Sequence, residues 1–162
     1  MRVVEGTATI GDVGAFVEEL DGIGGTQGGT IQAFDARYVV ARAHLERAVE
    51  LATRAHDRGE GIAEDFGVEI LLYAAGRRQI NRALEMGVSE GECPVVAVVV
   101  GGDEAAAATA VADVFDPGET LGEYDRERVR SFFDVSDTEL AATEGDLADA
   151  VRERVALLPV EK

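Results

Sequence analysis

Two adjacent arginines in the middle of the chain, Arg77 and Arg78, are the residues best placed to bind an anion. They follow Gly76 and precede Gln79, at a point where we predict a turn from a buried strand into a helix. The first turn of a helix is the positive end of its dipole, so an ordinary surface helix carries aspartate or glutamate there. Arginines at that position therefore favour an anionic ligand.

The neighbouring side chains suit a nucleic acid. Gln79 can exchange hydrogen bonds with a base edge or a 2′-hydroxyl group, and Tyr73 can offer a ring on which a base stacks. In the alternative interpretation, Arg77 and Arg78 pair with surface acids and Tyr73 belongs to the core. The residues by themselves leave both interpretations open.

A second pattern lies near the C-terminal end, where an apolar stripe at helical spacing predicts an amphipathic helix that runs to residue 158. This stripe either covers the core of the domain or forms a partner-binding face. The residues proposed for that face are Leu147, Val151, Val155 and Leu158.

No combination of residues predicts catalysis. One cysteine and two histidines argue against a zinc site, and no acid–base pair or activated nucleophile can be assembled. We interpret Cys93 as a packing residue and His44 and His56 as structural residues. We therefore expect a protein that is not an enzyme and that has no metal and no cofactor.

Two glycine-rich segments have the composition of a phosphate-binding loop. The glycines of residues 22–29 follow a helix, whereas a phosphate loop precedes one, so a flexible connection is expected there. Gly101 and Gly102 do precede a helix, but Asp103 and Glu104 occupy its start. These two acids cap the helix and would repel a phosphate.

The charge is strongly negative, with a formal net charge of −17. Lys162 is the only lysine, and the other 14 basic residues are arginines. This composition resembles that of proteins from salt-in halophiles, in which salt screens the repulsion between acids. Residues 37–88 differ from both ends, because they hold eight bases and eight acids. An anion-binding site is therefore expected in this neutral segment.

The apolar periodicity predicts a single domain over residues 1–162, with an α/β (α+β) fold and a mixed central sheet flanked by helices. We predict strands at residues 2–10, 30–34, 68–73 and 94–100, and helices at residues 13–20, 39–57, 62–66, 77–86, 103–114 and 126–133 and near the C-terminal end.

No apolar run approaches the roughly 20 residues of a membrane span, and no secretory signal is visible. With a single cysteine, the expected location is the cytoplasm.

The run VEILLYAAGRRQINRALEMGV, residues 68–88, resembles the signature of the small subunit of the KEOPS complex, the family of the eukaryotic p53-related-kinase-binding protein. That signature has a glutamate followed by apolar residues, a small-residue turn, an R-Q-I motif and a helix that ends before glycine. Here these features fall on Glu69, Ala74 to Gly76, Arg78 to Ile80, and Gly87. The resemblance covers residues 31–100, and the acidic composition makes the chain haloarchaeal-like.

The resemblance implies a non-catalytic subunit that binds the KEOPS kinase/ATPase subunit during tRNA threonylcarbamoyl-adenosine modification. It further implies that the chain recruits tRNA through its 3′ CCA end, with Arg77, Arg78, Gln79 and Ile80 as the contacts, beside Tyr73. Two alternatives remain at this point. One is a kinase regulator without RNA contact, and the other is a small α/β enzyme that acts on a phosphorylated metabolite.

Overall fold

The computed structural model describes residues 1–142 and 146–159, which form an α/β fold around a four-stranded sheet. The strands are β1 (Arg2–Ile10), β2 (Thr30–Asp35), β3 (Gly91–Val100) and β4 (Asp116–Pro117). The helices are α1 (Val13–Gln27), α2 (Arg42–Asp57), α3 (Phe66–Ala75), α4 (Ile80–Ala83), α5 (Glu104–Ala112), α6 (Arg126–Phe132), α7 (Asp137–Ala142) and α8 (Leu147–Leu157), with 3₁₀ helices at Ala36–Tyr38 and Leu84–Met86. The predicted α/β fold class is confirmed.

The strand order in the sheet is β2-β3-β1-β4. Arg2 of β1 lies opposite Val99 of β3, and Thr30 of β2 lies opposite Val100 on the other side of the same strand. All the pairings between the described strands are antiparallel, whereas we had expected a mixed sheet. One of the strands expected in that sheet, at residues 68–73, is absent because these residues are helical.

Side chains of β3 alternate between two layers of helices, as the period of two in a strand requires. Val95, Ala97 and Val99 pack in a core with residues of α1 and α5. Val96 and Val98 point to the opposite face and share a core with residues of α2, α3 and α8. The sheet is thus covered on both faces, which explains why β3 is apolar along most of its length.

Helix α3 corrects the prediction of a strand at residues 68–73. Its start is capped by Asp65, whose side chain accepts a hydrogen bond from the backbone N–H of Val68 at 2.9 Å. Its end is set by Gly76, which has a φ of 62° in the left-handed region. The helix lies between β2 and α2 and is buried along nearly all of its length. Apart from the buried Glu69, the helix is apolar on every side, so its sequence shows no periodicity that separates it from a buried strand.

The glycines of residues 22–29 do not form the expected loop. Asp12 caps α1 at the predicted start, but the helix continues past residue 20 to Gln27, and Gly28 ends it with a φ of 76°. A Cβ atom on Gly24 would lie 2.9 Å from the carbonyl oxygen of Gly29. A glycine within this helix therefore allows the following chain to pass directly against it.

Both glycine-rich segments meet at one backbone crossing. A Cβ atom on Gly29 would overlap the carbonyl oxygen of Gly101, and a Cβ atom on Gly102 would overlap that of Gln27. The backbone N–H of Asp103 donates to the carbonyl oxygen of Gln27 at 2.9 Å. These glycines thus permit close contact between two chain segments. The predicted cap is confirmed, since the Asp103 side chain accepts from the N–H of Ala106 at 3.1 Å.

Smaller differences concern the element boundaries. Residues 62–65 form bends instead of a helix, and the expected helix at residues 77–86 is reduced to α4 and the 3₁₀ turn that follows it. Asp116 and Pro117 form the short strand β4, which is not among the predicted strands and pairs with Gly6 and Thr7. Within residues 1–142 and 146–159, no helix is both long and apolar enough to cross a membrane.

Candidate functional site

The Arg77–Gln79 segment lies between α3 and α4 and not in the first turn of a helix. The backbone N–H of Arg77 donates to the carbonyl oxygen of Leu72 at 3.0 Å, which closes the last turn of α3. The two arginines therefore follow the negative end of a helix dipole, where cations are favourable. Our dipole argument for an anion was wrong in its sign, so any anion site here depends on the side chains alone.

Arg77 is largely committed to the fold. Its guanidinium group donates to the carbonyl oxygen of Phe132, lies 5.1 Å from the centroid of the Phe132 ring, and is 3.9 Å from a carboxylate oxygen of Asp134. Arg154 binds the next carbonyl groups, that of Phe133 at 2.7 Å and that of Asp134 at 3.0 Å. Two arginines thus satisfy carbonyl groups that the end of α6 leaves without helical partners.

An open pocket of about 280 Å³ lies beside this segment. It brings together three arginines, one amide and one apolar side chain, and the residues that line it are Gly76, Arg77, Arg78, Gln79, Arg82 and Leu158. No carboxylate is among the described residues of its wall. Arg78, Gln79 and Arg82 are exposed. On a chain with a net charge of −17, this pocket is a local concentration of positive charge.

Arg82 was not among the site residues predicted from the sequence. It lies four positions after Arg78, a spacing at which helical side chains share a face, and this spacing was the signal available. Ile80, which was predicted, is 48% exposed at the start of α4, although it is not part of the pocket wall. An exposed aliphatic side chain next to the arginines can cover the face of an unstacked base.

A second depression lies beside the next residue of the chain: Leu158 lines the first pocket, and Pro159 lines this one. It is lined by residues of α2 and α3 and by Pro159, and it includes Arg54 and Arg58 together with Glu60. Five arginines therefore surround the end of α8, all of them in the neutral part of the sequence.

Tyr73 does not offer the stacking face that we expected. The residue is 1% exposed and lies within the core between α2 and α3. The expectation depended on a strand that ends at the surface, whereas helix α3 turns this side chain inward. A base that stacks at this site would have to use other side chains.

The apolar stripe of α8 is part of the core. Leu147, Val151 and Val155 are 0% exposed and Leu158 is 1% exposed. They pack with residues of α2 and α3, so this side of the helix is covered by the chain itself. The interpretation of these four residues as a partner-binding face is wrong, and the alternative, that they cover the domain's own core, is correct.

A buried carboxylate that the sequence did not reveal holds the loop before α3. Glu69 is 0% exposed, and its carboxylate accepts hydrogen bonds from the backbone N–H groups of Ile62 at 2.9 Å and Ala63 at 3.1 Å. The Nε2 atom of His56 donates to the carbonyl oxygen of Ala63 at 2.9 Å and lies 3.5 Å from the Glu69 carboxylate. These contacts give Glu69 and His56 structural roles at the loop.

Among the residues described, no group of three histidine, cysteine, aspartate or glutamate side chains converges on a point where a metal ion would be held. The chain was also compared with models of known protein families. A family model described as kinase binding protein CGI-121 matches residues 17–158, which include all the arginines around the pocket. A search of curated proteins found no match.

Proposed function

The chain belongs to the CGI-121 family of kinase-binding proteins, and we propose that it is the small, non-catalytic subunit of a KEOPS complex. In this role it binds the kinase/ATPase subunit and recruits tRNA through the 3′ CCA end. The modification made by such a complex is threonylcarbamoyl-adenosine in tRNA, and the catalytic groups belong to the other subunits.

The observation that carries the RNA part of the proposal is the arginine pocket. Arg78 and Arg82 are exposed beside Gln79 in a wall without a described carboxylate. Guanidinium groups bind phosphates through paired hydrogen bonds, and the amide can exchange hydrogen bonds with a base. The pocket is small and open, which suits the unpaired end of an RNA better than a duplex.

The net charge of the chain also favours a single-stranded end over a long duplex. A protein that follows a duplex needs many cations along its surface, and its affinity falls steeply with salt concentration. Here the cations are confined to one site on an acidic molecule. Binding by hydrogen bonds and base contacts at a chain end keeps more of its affinity in concentrated salt.

The test is to measure the affinity of tRNA by fluorescence anisotropy in 2 M KCl, with intact tRNA and with tRNA that lacks the CCA end. We expect the trimmed tRNA to bind at least about tenfold more weakly, since a few charge-assisted hydrogen bonds contribute that much. The variant Arg78→Glu with Arg82→Glu should show a similar loss toward intact tRNA. Both residues are exposed, so the fold should be retained.

The matched control is Arg42→Glu with Arg126→Glu, which changes the net charge equally at two exposed arginines outside the pocket. This control should bind tRNA within about twofold of the native chain if position and not total charge determines affinity. Equal binding of intact and trimmed tRNA would sink the RNA role and leave a kinase-binding protein without RNA contact.

A further inference from the structure

A further concave surface, lined by none of the arginines, lies between α1 and the segment around Leu84. Its volume is about 230 Å³ and its wall is mainly aliphatic. The residues that line it are Val13, Val17, Leu20, Asp21, Ile31, Gln32, Ala33, Leu71, Leu84, Gly87 and Val88. We call this surface the α1 groove.

Two large apolar side chains of the α1 groove are exposed to solvent. Leu84 is 57% exposed and Val17 is 41% exposed, and they belong to the few large apolar side chains exposed in the described parts of the chain. The two residues lie in different elements that the fold brings to the same groove. Paired exposure at a concave site is characteristic of a surface that a partner covers.

The size of the α1 groove indicates that it binds side chains of another protein and not a small molecule. Small-molecule sites usually enclose about 300–1,000 Å³, whereas this groove has about 230 Å³ and holds a single carboxylate, Asp21. Few polar groups converge there to orient a metabolite. One or two aliphatic side chains of another protein fit the space and the chemistry.

The rim of the α1 groove is acidic. Asp21 lines the groove, and its carboxyl group is close enough to Glu18 and Asp65 to feel their charges. All three residues are exposed, and no lysine or arginine occurs between residues 3 and 36. Burial and the nearby charges of Asp65 and Glu18 raise the pKa of the Asp21 carboxyl above its ordinary value. A cation placed at this rim would reduce the repulsion among the three carboxylates.

We propose that the α1 groove is the docking site for the kinase subunit, and that the kinase inserts a segment with one or two aliphatic side chains flanked by arginine or lysine. This inference rests on the kinase-binding role proposed above. The aliphatic side chains contact Val17 and Leu84, and the flanking cations face Glu18, Asp21 and Asp65. The arginine pocket stays open for RNA, because Leu84 and the arginines of that pocket line different depressions.

The experiment measures the affinity of the purified kinase subunit from the same organism for the full chain, by titration calorimetry in 2 M KCl. Val17→Glu and Leu84→Glu should each weaken binding at least about tenfold, because each places a carboxylate in an acidic apolar contact. The matched control is Leu157→Glu, which changes an aliphatic residue that is 42% exposed outside the groove. This control should bind the kinase as the native chain does.

The charge arm uses Glu18→Lys with Asp21→Lys, compared with Glu119→Lys with Glu123→Lys, two exposed acids of the loop between β4 and α6. The first pair should slow association at 0.5 M KCl, and the second pair should not, since only the first pair lies at the proposed contact. Binding of intact tRNA should be unchanged in Val17→Glu and Leu84→Glu.

The outcomes separate this inference from the proposed function. Native kinase binding that persists in Val17→Glu and Leu84→Glu overturns the α1 groove as the docking site and leaves the function intact. A native chain that does not bind the kinase overturns both. A self-dimer that Leu84→Glu dissociates, with kinase affinity unchanged, assigns the groove to a second copy and overturns the kinase assignment.

Discussion

The Nε2 atom of His44 lies 2.7 Å from the carbonyl oxygen of Ala74, so one buried imidazole joins α2 to the last turn of α3. The imidazole donates this hydrogen bond, and its Nδ1 atom faces the backbone N–H of Val40 at 3.5 Å. Burial lowers the pKa of His44 to about 4. His44 is therefore neutral in the folded protein at pH 7.

We expect His44 to make stability depend on pH. The unfolded chain binds a proton at an ordinary histidine pKa of 6.5, whereas the folded chain does not until the pH approaches 4. The contribution of neutral His44 is thus complete above about pH 6.5 and decreases as the pH falls toward 4. Between pH 7 and pH 5 this loss should reach about 2 kcal/mol. Urea unfolding in 2 M KCl measures it.

The variant His44→Gln isolates this effect from the many carboxylates. It removes the titrating group, so the difference in unfolding free energy between the native chain and the variant should narrow as the pH falls. The prediction requires His44 to gain a proton between pH 7 and pH 5 in the unfolded chain but not in the folded chain. A difference in unfolding free energy that stays constant over this range would contradict it.

Gly102 should not tolerate alanine. The added Cβ would overlap the carbonyl oxygen of Gln27, and the residue also has a φ of 62°. We expect a loss of at least about 2 kcal/mol in the free energy of unfolding. The matched control is Gly25→Ala in α1, where nothing lies within 4 Å of the added atom. That variant should gain up to about 1 kcal/mol from helix propensity.

The two roles assigned to neighbouring arginines can be separated by stability. Arg77→Met removes the contacts to the carbonyl group and ring of Phe132, and we expect a loss of about 1–2 kcal/mol. Arg78→Met, at an exposed position, should change stability by no more than about 0.5 kcal/mol. Thermal and urea unfolding measure both variants. If Arg77→Met and Arg78→Met lose the same stability, the structural role of Arg77 is contradicted.

Val151→Glu should prevent folding or cost more than about 3 kcal/mol, because Val151 is 0% exposed and a carboxylate there would lack a partner. The comparison is Ala156→Glu, five positions later on the exposed side of α8. It should unfold within about 0.5 kcal/mol of the native chain. A stable, monomeric Val151→Glu chain would contradict the core position of this stripe.

The thermal midpoint should fall when salt is removed. With a net charge of −17 the carboxylates repel one another, and the screening length grows from roughly 3 Å at 1 M salt to about 30 Å at 0.01 M. Circular dichroism melts in 2 M and 0.05 M KCl provide the comparison. An unchanged midpoint would mean that the described ion pairs already balance the repulsion.

Local signals predicted the elements that depend on local chemistry. Strand β1 alternates, and Asp12 and Asp103 cap helices because each stands directly before one. The strand predicted at residues 68–73 failed because a helix buried on every side has no polar face to mark its period. Its flanking Asp65 and Gly76 are the start and stop signals of a helix, and they would have corrected the prediction.

The candidate site was located by residue type but not by environment. The sequence identified Arg78 and Gln79, which are exposed at the pocket. It did not predict that Arg77 binds the end of α6, because Phe132 lies 55 residues away and the contact depends on tertiary packing. The burial of Tyr73 agrees with the alternative interpretation of the sequence, in which this residue belongs to the core.

The position of β3 determines when the sheet can form. β1 and β2 are the first two strands in the chain, yet each pairs with β3 and they do not pair with each other. During synthesis both strands therefore remain unpaired, with their apolar faces exposed, until residues 91–100 have left the ribosome. Pairing between strands that are far apart in the sequence is slow, and unpaired strands are prone to aggregate. A nascent chain arrested before residue 91 should thus require a chaperone, whereas one arrested well beyond the C-terminal end should fold.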